Sequence, residues 1–148
     1  MRTIRHLLGN KTVWAIDARF SAFDAARYMS ERVIGAVPVV DENALVGMFT
    51  ERDLMTRVVV PGHDPARIPV RDVMTRDIVV AAPTDLRSEC IARMKARHCR
   101  HLPILDGGRL VGTISMRDLL ADDIEEKLEE VKLLTEYVQY VPPGHGES

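Results

Sequence analysis

Cysteine is scarce in this chain of 148 residues: there are two, Cys90 and Cys99, and they form neither a CxxC motif nor a disulfide framework. An excess of one charge is also missing. Twenty Lys and Arg stand against 22 Asp and Glu, a formal net charge of −2, so the broad basic face of a nucleic-acid binder is excluded. Acids are interleaved with the arginines, and any anion must therefore be held at a local site. No apolar run is long enough to span a membrane, and that of the opening "MRTIRHLLGNKTVWA" is too short for a signal peptide. The expectation is a cytoplasmic, reduced protein with no membrane and no nucleic-acid partner.

Catalytic signatures are missing too. There is no GxSxG, Walker loop, HExxH or paired-acid arrangement, so no catalytic residue is assigned and no enzyme is expected. The cluster "RHCRH" holds His98, Cys99 and His101, but a strand or helix end turns such neighbours to different sides. With no second ligand cluster, no metal site is expected.

What the chain does have is an internal repeat. A shift of 65 residues places Met29 on Met94, Pro38 on Pro103, Asp41 on Asp106 and Leu45-Val46-Gly47 on Leu110-Val111-Gly112. It also places Thr50 on Ser115, Arg52 on Arg117, Asp53 on Asp118 and Leu54 on Leu119. Each copy opens on a short apolar piece, Val13 to Ile16 or Ile78 to Ala81. A helical stripe follows: Ala22, Ala25, Ala26, Met29 and Val33, or Leu86, Cys90, Ile91 and Met94. Ser21 with Asp24 reads as a capping box for the first of these helices. Then come a strand ("VPVV" or "LPIL"), a turn ("DENA" or "DGG"), a second strand and another helix.

The unit is β-α-β-β-α, too small to bury itself well, so the two copies are expected to pack about a pseudo-twofold axis in an α/β fold. The expected organisation is a first repeat over 7–60, a linker over 61–72, a second repeat over 73–121, a helix over 122–141 and a disordered tail over 142–148. Ile124, Leu128, Val131, Leu134 and Val138 mark one apolar face of that last helix, which suits a second subunit. Cys90 and Cys99 read as core fillers, Met29 and Met94 as helix-core residues. Trp14 reads as core or, alternatively, as the wall of an adenine pocket.

The phrases "LVGMFTERD" and "LVGTISMRD" carry two readings. A hydroxyl followed three residues later by an acid caps a helix and needs no ligand. Yet a glycine that admits close approach, free N–H groups at a helix start and a carboxylate able to accept two ribose hydroxyls also suit a nucleotide.

The tandem halves "GAVPVVD…LVGMFTERD" and "RHLPILD…LVGTISMRD" resemble a pair of cystathionine-β-synthase (CBS) domains, from about Leu7 to Leu120. "DVMTRDIVVAAPTD" is similar to the family's usual opening, and the helix ending in "LLTEYVQY" is similar to that of stand-alone bacterial members. The resemblance implies two CBS repeats, a homodimer and clefts for an adenosine ligand, with AMP foremost and ADP, ATP, NAD or S-adenosylmethionine as alternatives. It implies that Asp53 and Asp118 hold ribose, with Thr50 and Ser115 at ribose or phosphate. The Asp53 cleft would be completed by Thr75, Ile78, Arg100, His101 and Leu102. The Asp118 cleft would be completed by Thr12, Trp14, Gly35, Ala36 and Val37. Arg52 and Arg117 are additional candidates, and otherwise solvated helix arginines. Because Arg100 and His101 stand where the other copy has Gly35 and Ala36, the Asp53 cleft is expected to suit phosphate better. On this reading the chain is a regulatory sensor that reports to a downstream protein. The alternative is a structural dimerisation module with vestigial clefts.

Overall fold

The computed structural model describes residues 2–139; the expected tail, 142–148, and the last two positions of the expected helix lie outside them. The first half comprises α1 (Ile4–Leu8), β1 (Ile16–Asp17), α2 (Ala22–Arg32), β2 (Ala36–Asp41), β3 (Ala44–Thr50) and α3 (Glu51–Asp53), which continues as a π-helical turn over Leu54–Val59. A 3₁₀ turn at Val70–Asp72 leads into α4 (Arg87–Arg97), β4 (His101–Asp106), β5 (Arg109–Ser115) and α5 (Met116–Gln139). The result is a mixed α/β protein of two repeats about a pseudo-twofold axis, with sheets of three and two strands and a C-terminal helix.

The offset of the sequence repeat is also the offset of the structural details. α2 buries Ala22, Ala25 and Met29 and begins where Ser21 Oγ accepts the Asp24 N–H at 3.0 Å. This is half of the expected capping box, because the Asp24 carboxylate turns instead to Arg27 at 3.0 Å. α2 and α4 both end on a left-handed residue that is not glycine, Val33 (φ 54°) and His98 (φ 53°). Both hairpins close through two residues of positive φ, Glu42-Asn43 and Gly107-Gly108, the geometry that matches strand twist. A bulge then shifts the register between Val39 and Val40 and again between Ile104 and Leu105.

The opening strands are shorter than the apolar pieces suggested. β1 pairs in parallel with β2 only through Ile16 and Asp17, and in the second half Ala81 makes a single bridge to Ile104. The preceding residues run past the sheet edges without pairing, which leaves Val13 and Trp14 partly exposed.

Each core is closed by a segment that the chain contributes from elsewhere. Ile16, Met29, Val37, Val39, Phe49 and Val58 of the first repeat pack with Val70, Val73 and Met74, where the chain enters the second repeat. Cys90, Met94, Leu102, Ile104, Ile114 and Leu119 of the second pack with Ile4, Leu7 and Leu8 of α1. Val70 is fully buried, so the end of the expected linker is core. Glycines in the repeated phrases admit these crossings. A Cβ on Gly47 would lie 2.7 Å from both Met74 Sδ and the Thr75 carbonyl oxygen, and one on Gly112 would lie 2.7 Å from Leu8 Cδ2. Thr75 and Met48 exchange both backbone hydrogen bonds at 2.8 and 2.9 Å across this crossing.

α5 runs unbroken through the expected boundary at residue 122. Its first turns are held by ions: Asp122 receives Arg2 and Arg87 at 2.7 Å each, Arg87 reaches Asp123 at 2.9 Å, and Arg2 reaches Glu126 at 2.8 Å. Burial pushes the Asp122 carboxyl up, but the hydrogen bonds from Arg87 and Arg2 outweigh it and hold it below the ordinary value of 3.8. Ile124, Leu128, Val131, Leu134 and Val138 are all more than half exposed.

Two outcomes are expected. Gly47→Ala should cost about 1–3 kcal/mol, since rigid backbone must move, whereas Gly112→Ala should cost under about 1 kcal/mol, since the Leu8 tip can turn away. Urea unfolding of both variants checks this. Asp122→Ala should cost about 1–2 kcal/mol at pH 7, discounted because the outer ion pairs reach solvent. A depressed folded carboxyl stabilises above its unfolded value and loses that contribution as pH falls through the folded one. The deficit of Asp122→Ala should therefore shrink when unfolding is measured between pH 5 and pH 3, around the ordinary value of 3.8.

Candidate functional site

The left-handed caps at Val33 and His98 turn the chain out of α2 and α4, and the residues that follow run along two clefts. The first cleft, about 740 Å³, is lined by residues that include Thr50, Arg52, Asp53, Thr75, Ile78, Arg100 and His101. The second, about 1130 Å³, is lined by residues that include Thr12, Trp14, Ala36, Ser115, Arg117 and Asp118. Gly35, Arg100 and His101 line both. Two of the expected residues line neither. Val37 and Leu102 are fully buried in the two cores, because one step along a strand turns a side chain to the opposite face. Trp14 is 36% exposed and belongs to the second cleft's wall, not to the core.

Both repeated phrases are reciprocal caps. Thr50 Oγ1 accepts the Asp53 N–H at 3.1 Å while Asp53 Oδ2 accepts the Thr50 N–H at 3.1 Å. Ser115 Oγ accepts the Asp118 N–H at 3.0 Å while Asp118 Oδ2 accepts the Ser115 N–H at 2.9 Å.

Beyond the caps the two carboxylates differ. Asp53 is 5% exposed, takes the Thr75 hydroxyl at 3.0 and 3.1 Å on its two oxygens, and has Arg57 Nε at 3.7 Å. Arg57 is itself held by the Met74 carbonyl at 2.8 Å. Asp118 has a side chain 37% exposed and, among the described residues, only Lys11, at 3.8 Å, within ion-pair distance. Its Oδ1 makes no hydrogen bond among the described residues. The register of the two crossings explains the contrast: Ile4, Leu7 and Leu8 stand where Val70, Val73 and Met74 do, which sets Gly9, without a hydroxyl, against Thr75. Arg57 corresponds to Asp122, which is turned to Arg2 and Arg87.

The charges also run against the expectation that phosphate suits the Asp53 cleft. There, Arg97 is paired with Asp77 at 2.8 Å and Arg57 neighbours Asp53, so Arg52 and Arg100 remain to offset Glu51. In the second cleft Lys11, Arg100 and Arg117 face the single carboxylate of Asp118, and Met116 and Ala121 replace Glu51 and Thr56. Pro38, Leu120, Ile124 and Trp14 add an apolar wall. Burial pushes the His101 imidazole below its ordinary 6.5, against the pull of Asp118 and Glu51, so at neutral pH it is a neutral hydrogen-bonding group rather than a cation. Burial raises the thiols of Cys90, to about 11, and of Cys99, which keeps both as unreactive thiols at neutral pH.

Lys11, Glu51, Arg57, Asp77 and Arg97 are charged cleft residues that sequence reasoning did not single out. Arg57 lies one helical turn beyond Asp53, a spacing that signals an ion pair. Lys11 carried no such signal, because its contact is made across the fold.

The CBS domain profile matches residues 4–60 and 70–124. YhcV of Bacillus subtilis, a CBS domain-containing protein, is 34% identical over 105 residues, 70% of this chain and 74% of that protein. CBSCBSPB2 of Arabidopsis thaliana is 32% identical over 98% of this chain, which spans 28% of that protein's length. Among solved structures, a CBS-domain protein from Burkholderia ambifaria aligns with a TM-score of 0.80 and 34% identity over 84% of this chain and 95% of that one. The CBS pair of MJ0100, solved with 5′-methylthioadenosine and S-adenosylmethionine, has the same fold with a TM-score of 0.75 at 21% identity, over 86% of this chain and 98% of its own. Since both halves match the profile and both fold as the repeat requires, the chain belongs to the CBS domain family.

Proposed function

We propose that this CBS pair is a regulatory module that binds an adenosine-containing small molecule, with the Asp118 cleft as the principal site. The observation that carries this reading is the open Asp118 carboxylate at the start of α5, beside the exposed face of Trp14. A ribose would place its two hydroxyls on Asp118, and adenine would lie against the apolar wall. A phosphate would meet Ser115 and the N-terminus of α5, with Lys11, Arg100 or Arg117 supplying charge. The adenosine ligands of the MJ0100 pair support the class of ligand. AMP is the first choice; ADP, ATP, NAD and S-adenosylmethionine share the groups that the cleft can read. The module acts by binding rather than catalysis, as a homodimer that passes its state to a downstream protein.

Two specific observations favour a second reading, a structural interaction module. Asp53 is spent on its own cap, on Thr75 and on Arg57, and α5 carries an exposed apolar stripe.

Calorimetry with AMP, ADP, ATP, NAD and S-adenosylmethionine, on protein stripped of carried-over ligand, separates the two. At least one should bind, and Asp118→Ala should weaken the tightest step about tenfold or more while Asp53→Ala changes it less than about threefold. In the absence of ligand the order should reverse, with Asp53→Ala losing about 2 kcal/mol of stability and Asp118→Ala about 1 kcal/mol. If none of the five compounds binds, the interaction module stands. If Asp53→Ala alone abolishes the tight step, the principal site is the other cleft.

A further inference from the structure

The two clefts share a wall, and the wall carries one exposed cation, Arg100. Gly35 and Arg100 are equivalent under the 65-residue offset, and both line both clefts. One repeat therefore places an arginine in the shared wall where the other places no side chain. Arg100 is exposed, and its guanidinium makes no hydrogen bond or ion pair among the described residues. The remaining cations differ between the clefts. The Asp118 cleft has Arg117 and Lys11, the latter 3.8 Å from Asp118. The Asp53 cleft has Arg52 opposed by Glu51, Arg57 held by Asp53 and the Met74 carbonyl, and Arg97 paired with Asp77.

We infer that Arg100 is a single phosphate anchor for which the two clefts compete, so that a phosphorylated ligand in one cleft weakens phosphate binding in the other. The inference rests on the adenosine-ligand reading above and adds a regulation to it: the pair behaves as a one-phosphate device although it has two clefts. The chemistry is directional. Arg100 is one side chain for two clefts: turned to grip a phosphate through both donors of one edge in one cleft, it is drawn away from the other. An unphosphorylated nucleoside asks nothing of Arg100 and should fill the clefts independently. Coupling of this kind is reciprocal, so it can be read from either cleft.

The test compares AMP with adenosine by calorimetry on the full chain. In the native protein AMP should bind in two steps, the second in the Asp53 cleft. In Asp118→Asn, where Arg100 is released, AMP should enter the Asp53 cleft about fivefold or more tighter than in that second step. A native stoichiometry of one per chain, with the Asp118→Asn protein still binding one, is the limiting form of the same result. For adenosine the corresponding difference should stay within about twofold. Arg100→Ala should remove the difference for AMP, whereas simple repulsion between two phosphates would leave or enlarge it.

Gly35→Arg offers a gain of function. The nearest atoms to a Cβ there are those of the Glu51 carboxylate, at 3.4–3.6 Å, the end of a flexible side chain, so a second guanidinium can be seated at the equivalent position and should relieve the competition. The proposal is overturned if AMP binds the two clefts independently, if coupling persists in Arg100→Ala, or if Asp118→Asn binds no AMP. Failure of AMP and adenosine to bind the native protein at all would instead count against the adenosine reading itself.

Discussion

The exchange of core-closing segments is the constraint on which the rest of the structure depends. A repeat of this size has one small sheet and two helices, and its apolar face needs a cover that it does not own. α1 covers the second repeat, and the Val70–Met74 segment covers the first. Each cover must pass close over a strand, and Gly47 and Gly112 are the points of passage. This assigns the glycine of the repeated phrase to the protein's own chain. Room left by the missing Cβ is filled by Met74, Thr75 and Leu8, so it is not room for a ligand.

The same crossings build the clefts. A segment that crosses to the opposite repeat carries its next residues along the seam between the two: Lys11, Thr12 and Trp14 after α1, and Thr75 and Ile78 after the 3₁₀ turn. Symmetry gives two clefts, and the identity of the crossing residues makes them unequal. Thr75 has a hydroxyl within reach of Asp53 and consumes that carboxylate. The equivalent Gly9 has no side chain to offer and leaves Asp118 to solvent and to Lys11. One capping geometry thus yields a structural acid in one half and an accessible acid in the other.

Much of this architecture was legible in the chain. The 65-residue offset carried over to the left-handed caps, hairpin loops, bulges and helix starts, because each is set by local residues. The extent of the opening strands was not, since β pairing depends on where the crossing segment leaves the sheet. The placement of Val37 and Leu102 in the cleft walls failed for a related reason. Neighbouring strand residues face opposite ways, and a motif names positions without fixing which face meets the seam. Trp14 was ambiguous between core and cleft because its surroundings come from the other repeat. The charge balance of the clefts was the least legible property. It depends on which arginines are already engaged: Arg97 is paired with Asp77, and Arg57 is turned by the Met74 carbonyl, groups that only the folded chain brings near.

A binding cleft becomes a sensor only if its ligand distinguishes two arrangements of the protein. In this molecule the element best placed to report is α5. Its first turns supply Ser115's partner Asp118 together with Leu120 and Ile124, all walls of the larger cleft. On another side the same turns hold Asp122, Asp123 and Glu126, which are clamped by Arg2 and Arg87. The helix root therefore lies between a cleft and an ionic clamp. The clamp fixes α5 to α4 and to the N-terminal segment, and that segment also delivers Lys11 to Asp118. A ligand that drew Lys11 or the helix start toward itself would load the clamp directly. The stripe from Ile124 to Val138 would then move as one rigid helix, so a small shift at the cleft would be displayed along the whole exposed apolar face.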